Sequence, residues 1–216
     1  MKTKKTVCVF DFDGTLVDSM GDFAELAGRL ISGTYGLSLD EGKEAYIRTS
    51  GLPFLDQLEM VFPGDPRNGE TARAFEEEKK KEYFSKNLFD QVPETLSYLR
   101  EKGMRVAISS SNHQELVEEF LSKKGIRFDL VLGWRPNFSK GKEHFEHIQK
   151  YLKTSSDGIL FIGDSLKDAE RAAHHQVDFI GKTGTFKASD FQKNFPQFQT
   201  IEELSELKGI LGEVPL

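Results

Sequence analysis

The sequence predicts an α/β protein, a doubly wound parallel sheet (a Rossmann-like core) with an inserted α-helical cap. Three observations predict it. Short β-prone runs recur at residues 6–10, 104–109, 129–132, 158–162 and 177–180. Helical periodicity fills the gaps between the later runs, and strands that alternate with helices build parallel βαβ crossovers. Residues 16–90 break the rhythm, with helical patterning and no convincing strand.

The first run, Thr6-Val7-Cys8-Val9-Phe10, is continuously apolar after its first residue and stops at acid and glycine, as a buried strand does. Helical stretches follow at 22–31, 40–48, 54–61 and 70–84. Turn chemistry divides them at 33–36, Gly51-Leu52-Pro53 and Pro63-Gly64-Asp65-Pro66. Within the last, Glu76 and Glu77 stand four residues before Lys80 and Lys81, the pattern of a solvated helix face. Further on, a helix over 95–101 precedes Gly103. One over 115–124 sets Leu116, Val117, Phe120 and Leu121 on one face and stops at Gly125. Helices at 143–152 and 166–173 complete the alternation. The phenylalanines of 186–198 are expected to bury a C-terminal strand and helix, and Thr200-Ile201-Glu202-Glu203 reads as a capping box opening a last helix. The expected division is a core of 1–15 and 91–216 and a helical cap of 16–90.

Composition narrows the function. The 216 residues are 38 % hydrophobic and 30 % charged, with a net charge of −6. A chain of this length buries about 70 % of its unfolded surface and needs no staple. Cys8 is the one cysteine, which excludes an internal disulfide, a CxxC pair and a cysteine zinc site. Cys8 itself reads as a small buried hydrophobe. His144 and His147, three apart on a helix, lack nearby acidic partners for zinc. The acidic balance argues against nucleic acid and anionic membranes. The basic start reaches Asp11 too soon for a signal sequence, and no run approaches the ~18 apolar residues of a membrane span. The expectation is a cytoplasmic protein, monomer or weak dimer.

The chemistry-bearing residues stand just after strands, where ligands of doubly wound sheets bind. Asp11-Phe12-Asp13-Gly14-Thr15 places two carboxylates on one side of an extended segment, where they repel unless a cation or proton intervenes. Ser109-Ser110-Ser111-Asn112 offers hydroxyls and amides ahead of a helix, an anion site by geometry. Ser139-Lys140-Gly141-Lys142 puts cations at a helix start, electrostatically misplaced unless an anion is held there. Gly163-Asp164-Ser165-Leu166-Lys167-Asp168 repeats strand, glycine and acid, with Asp168 one helical turn beyond Asp164. Oxygen ligands for a hard cation, a hydroxyl, a lysine and oriented amides form an inventory for a phosphoryl group held with Mg²⁺. In the helical insert, Arg48, Thr49 and Ser50, before a glycine turn, are candidates for substrate contact.

With these four motifs in this order, the chain resembles the haloacid dehalogenase-like superfamily of phosphotransferases, in its branch with a small α-helical cap. Within that branch it resembles the phosphoglycolate phosphatase and beta-phosphoglucomutase-like subfamily. The resemblance implies a Mg²⁺-dependent phosphatase of a small phosphorylated metabolite. Asp11 would be the nucleophile, forming an aspartyl-phosphate, and Asp13 the acid and base. Asp11, the Asp13 backbone carbonyl and Asp164 would hold the metal, with Asp168 orienting that shell or Lys140. Ser109 and Lys140 would hold phosphoryl oxygens, and Gly14, Thr15 and Ser110 would add backbone contacts. Two choices stay open at this level: Lys140 against Lys142, and Ser109 against its serine neighbours. Asp13 removes the dehalogenating and phosphonate-cleaving chemistries. A phosphomutase and a non-catalytic phosphate-binding or partner-binding module are the alternatives, the former weakened by the absence of histidine in Asp18-Ser19-Met20-Gly21-Asp22.

Overall fold

A computed structural model describes residues 4–212. The first apolar run forms β1 (Val7–Phe10), wholly buried. The chain then enters the insert through β2 (Val17–Asp18), passes α1 (Met20–Tyr35), α2 (Leu39–Arg48), α3 (Phe54–Val61) and α4 (Asn68–Tyr83), and leaves through β3 (Asn87–Leu88). The remaining elements are α5 (Val92–Glu101), β4 (Arg105–His113), α6 (Gln114–Lys124), β5 (Leu130–Trp134), α7 (Lys142–Leu152), β6 (Ile159–Gly163), α8 (Leu166–His174), β7 (Asp178–Lys182), α9 (Ala188–Asn194), β8 (Gln199–Ile201) and α10 (Leu207–Gly212).

The sheet has six strands in the order β5-β4-β1-β6-β7-β8, and every pairing is parallel. Such a sheet is covered on both faces. Cys8, Phe10, Val106, Ile108 and Ile162 pack on one side with Leu96 and Leu99 of α5 and Val117 and Phe120 of α6. Val7, Val9, Ala107 and Phe161 pack on the other with Phe145 and Ile148 of α7, Ala169 and Ala172 of α8 and Phe191 of α9. In the register, Phe10 lies opposite both Ile108 and Ile162. The segments following β1, β4 and β6 therefore emerge side by side at one edge of the sheet.

The insert is joined to this core by apolar packing. Phe12 meets Phe120 edge-on at 5.4 Å and stacks with Tyr83 at 6.2 Å. Tyr83 in turn stacks on Phe23 of α1 at 5.7 Å. One buried cluster thus runs from the sheet into the helices of the insert.

Three expectations are corrected. The insert does carry strand, because β2 and β3 form an antiparallel ribbon, Val17 opposite Leu88 and Asp18 opposite Asn87. Two residues are too few to show a period. β4 does not end at Ser109 but continues to His113, its pairing with β5 shifting register between Ser109 and His113. Thr200 is a strand residue of β8 rather than a helix cap. The turn after it is closed by Glu206, whose Oε1 accepts from the backbone N–H groups of Glu202 and Glu203 at 2.8 Å each.

Candidate active site

Asp11 directly follows β1, and its N–H donates to Ile162 C=O of β6 at 2.8 Å, so the residue stays locked to the sheet edge. Its carboxylate is buried and accepts from Lys140 Nζ at 2.6 Å. The same ammonium lies 2.6 Å from Asp168 Oδ1, with Lys140 and Asp168 side chains 2 % and 0 % exposed. Lys142 instead points to solvent, 67 % exposed, beside Glu146 on its own helix. The structure therefore separates the two lysines, and Lys140 is the one at the site. Asp168 is held in turn by Ser165 Oγ at 2.8 Å and Arg171 Nη1 at 3.4 Å.

Asp164, directly after β6, is also buried and accepts from Thr185. Oxygens of Asp11, Asp164 and Asp168 all lie within 4.8 Å of one another. Burial, only partly offset by Lys140, pushes the Asp11 carboxyl up to about 6. Burial, and next the charge of Asp11, pushes Asp164 well above the usual carboxylate range. For Lys140, burial disfavours the charge, but Asp11 and Asp168 outweigh it and its pKa is raised. Three carboxyls against the buried Lys140 ammonium, with the Arg171 guanidinium reaching only Asp168, is a site short of positive charge. Buried acids of this kind are paired or coordinate a cation. The donors are hard oxygens, which suits a hard divalent ion. By this test the residues fit the implied metal, with Asp11 and Asp164 the available ligands, since Asp168 is already engaged by Lys140 and Ser165.

The chain bends after β1, with Gly14 at φ +73°, and Asp13 takes partners of its own. Ser19 Oγ donates to its Oδ1 at 2.6 Å, Tyr83 OH to the same oxygen at 3.1 Å and Asn112 Nδ2 to Oδ2 at 2.5 Å. Asp11 and Asp13 both border one cavity of about 390 Å³ between the sheet edge and the insert, together with Ser110, Asn112, Lys140 and Asp164.

Other assignments change. Ser109 is not at the cavity. Side chains alternate along a strand, so Ser109 falls on the Ala107 face, where its hydroxyl pairs with His144 Nδ1 at 2.9 Å, both buried. Ser110, on the alternate face, borders the cavity and takes its place. Gly14 and Thr15 do not border it. Gly14 acts by omission, because a Cβ there would collide with the Asp164 carboxylate. Arg48 is exposed at the end of α2 and lies off the cavity, and Thr49 turns inward to Gln57 at 3.0 Å. Ser50 does border the cavity.

Three residues passed over in the sequence matter. Lys79 and Arg73, on α4, border the cavity. Lys79 is buried and donates to Asn112 Oδ1 at 2.5 Å, which corrects the reading of 76–81 as wholly solvated. The signal was present: Ala72, Phe75, Lys79 and Tyr83 recur at helical spacing and share the buried side of α4. His144 likewise continues the stripe of Phe145, Ile148 and Leu152.

His144 has a consequence for stability. Burial, then Lys140, lowers its pKa from 6.5 to about 3. The unfolded chain takes up a proton below pH 6.5 that the folded one resists. This contribution is therefore intact above pH 6.5 and is lost as pH falls toward 3. At pH 4.5 the cost is about 2–3 kcal/mol. In urea unfolding at pH 7 and 4.5, the native protein should lose that much more stability than His144→Gln. Equal losses would refute the assignment.

Residues 8–182 match the model of the haloacid dehalogenase-like hydrolase family, so the chain belongs to that family. Among curated relatives, it is 26 % identical over 195 residues to a phosphoglycolate phosphatase of Synechococcus elongatus, covering 85 % of each chain. It is 24 % identical over 211 residues to the tyrosine-protein kinase PtkA of Mycobacterium tuberculosis, covering 94 % of this chain and 72 % of that one. A haloacid dehalogenase-like family hydrolase from Streptococcus pneumoniae has the same fold, with a TM-score of 0.80 at 18 % identity over 95 % of this chain and 98 % of that one. Among the described residues, no helix is long and apolar enough to cross a membrane.

Proposed function

We propose that the protein is a Mg²⁺-dependent phosphatase of small phosphorylated metabolites, working through an aspartyl-phosphate on Asp11. The observation that carries this reading is the meeting of Asp11, Asp164 and Lys140 in one buried, cation-deficient pocket that opens on the cavity under the insert. Asp11 and Asp164, with the backbone carbonyl of Asp13, would hold the ion. When bound, it neutralises the carboxylates and the incoming phosphoryl group, which a bare Asp11 would otherwise repel.

The chain's own residues do the rest. Lys140 steers one Asp11 oxygen and leaves the other for attack on phosphorus. Ser110 and the neighbouring amides receive phosphoryl oxygens. Asp13 donates a proton to the leaving oxygen, then takes one from the water that hydrolyses the acyl phosphate on Asp11. Ser19, Tyr83 and Asn112 fix its carboxylate for both steps. The insert, residues 16–90, serves as a cap that limits bulk water. The phosphoglycolate phosphatase among the relatives agrees with this chemistry.

The test is phosphate release from a panel of phosphomonoesters, with and without Mg²⁺. Release should require added Mg²⁺, vanish with EDTA and return on refilling. Activity indifferent to EDTA would overturn the metal role, and inertness toward every ester would favour a binding module. Label appearing on a sugar acceptor instead of in free phosphate would make the protein a mutase.

A further inference from the structure

Resting on the phosphatase reading, we propose that the preferred leaving group is an aromatic alcohol bearing an anionic substituent, its ring held by the cavity wall and its charge by Arg73. The cavity, about 390 Å³, is in the range of pockets that enclose a ring-sized ligand and is far larger than a two-carbon leaving group needs. Its wall away from the carboxylates is largely apolar and aromatic. Tyr46, Leu52, Pro53, Phe54 and Phe75 come from the insert and Trp134 from the end of β5. The rings are braced: Phe54 lies 4.2 Å from Phe75 and 5.8 Å from Tyr46, and His113 packs edge-on to Trp134 at 4.8 Å.

The apolar wall favours an aromatic body over a sugar or polyol, and the polar groups place its charge. Most are already spent within the protein. Gln57 is taken by Thr49 and by the Leu52 carbonyl. Asn112 serves Asp13, Tyr83 and Lys79. Ser111 donates to the Gly51 carbonyl at 3.0 Å, and Glu76 faces Lys79 at 4.0 Å. Those left without a hydrogen-bond or ion-pair partner among the described residues are the exposed Arg73 guanidinium, the Trp134 indole N–H, the Ser50 and Tyr46 hydroxyls, the His113 imidazole and the exposed Asp56 carboxylate. A hydroxyl-rich leaving group would lose hydration against the apolar wall without a hydrogen bond in return. A flat ring needs only the apolar wall, and an anion on it finds the uncommitted cation. The arginine fork binds a carboxylate through two parallel hydrogen bonds.

The experiment compares esters of primary alcohols, so that intrinsic reactivity is similar: benzyl phosphate, 4-carboxybenzyl phosphate, 2-phosphoglycolate, glycerol 3-phosphate and glucose 6-phosphate. For the native protein with Mg²⁺, kcat/KM should be at least tenfold higher for 4-carboxybenzyl phosphate than for the three non-aromatic esters. Arg73→Ala should erase the advantage of the carboxylate over plain benzyl phosphate and leave benzyl phosphate unchanged. Trp134→Ala should lower both aromatic esters by about tenfold while glycerol 3-phosphate turnover, which reports an intact fold, persists. Equal or faster turnover of the sugar or glycolate ester, or an Arg73→Ala effect equal on all five, would overturn the inference and leave the phosphatase reading standing. No release from any of the five would overturn both.

Discussion

Asp11→Asn is expected to abolish turnover, lowering kcat by at least ~10⁴-fold, the scale on which enzymes respond to loss of a nucleophile. The amide has nearly the shape of the carboxylate but cannot attack phosphorus and is a poor ligand for a divalent ion. The same change should leave the fold intact. Lys140 keeps Asp168 at 2.6 Å, and one of three crowded acids is gone. Burial already disfavours the charged form of Asp11, so a neutral side chain relieves that penalty. Unfolding free energy should stay within about 1–2 kcal/mol of the native value, a modest effect for a buried position. Phosphate release and urea unfolding on one preparation check both halves. Retained turnover would end the covalent mechanism.

Lys140→Met moves the same ion pair the other way and should be the most destabilising change at the site. Methionine keeps an apolar stem of nearly the same length, but Asp11, Asp164 and Asp168 are left without their buried ammonium. Removing one partner of a buried pair costs about 3–5 kcal/mol, because the other charge stays uncompensated. Any folded remainder should have kcat lowered about 10²–10³-fold, the scale on which electrostatic donors act. Mg²⁺ should restore part of the stability, since an ion that binds only the folded state raises it by mass action. Urea unfolding with and without Mg²⁺ measures this. If Asp11→Asn and Lys140→Met destabilise equally, charge balance is not what governs the pocket.

The acids of the site were legible because they stand where apolar runs stop. Asp11 directly follows β1 and Asp164 directly follows β6, and strands buried on both faces are written as continuous apolar segments. The serine was misplaced by one residue for the complementary reason. Of the three serines, Ser109 lies opposite Leu132 of β5 and the register then shifts before His113, so nothing in the row of serines marks which one turns toward the cavity. Arg48 was chosen for its nearness to a glycine turn, yet α2 presents it to solvent. Lys79 was hidden in a run of charges that reads as a wet surface, and Arg73, itself exposed, stands ahead of that run. The burial of Lys79, and the place of both residues beside the cavity, depend on how α4 lies over the sheet edge, which is a matter of tertiary packing. The ribbon of β2 and β3 was illegible because two-residue strands have no period.

That ribbon has a consequence for movement. The chain crosses into the insert at Val17–Asp18 and back at Asn87–Leu88, and the two crossings are hydrogen-bonded side by side. A swing of the four helices can turn both crossings about a single pin, as a door turns on its jamb. The frame, with Asp11 and Asp164 set in it, stays still while the door carries Arg73 and Lys79 toward or away from whatever is on the threshold.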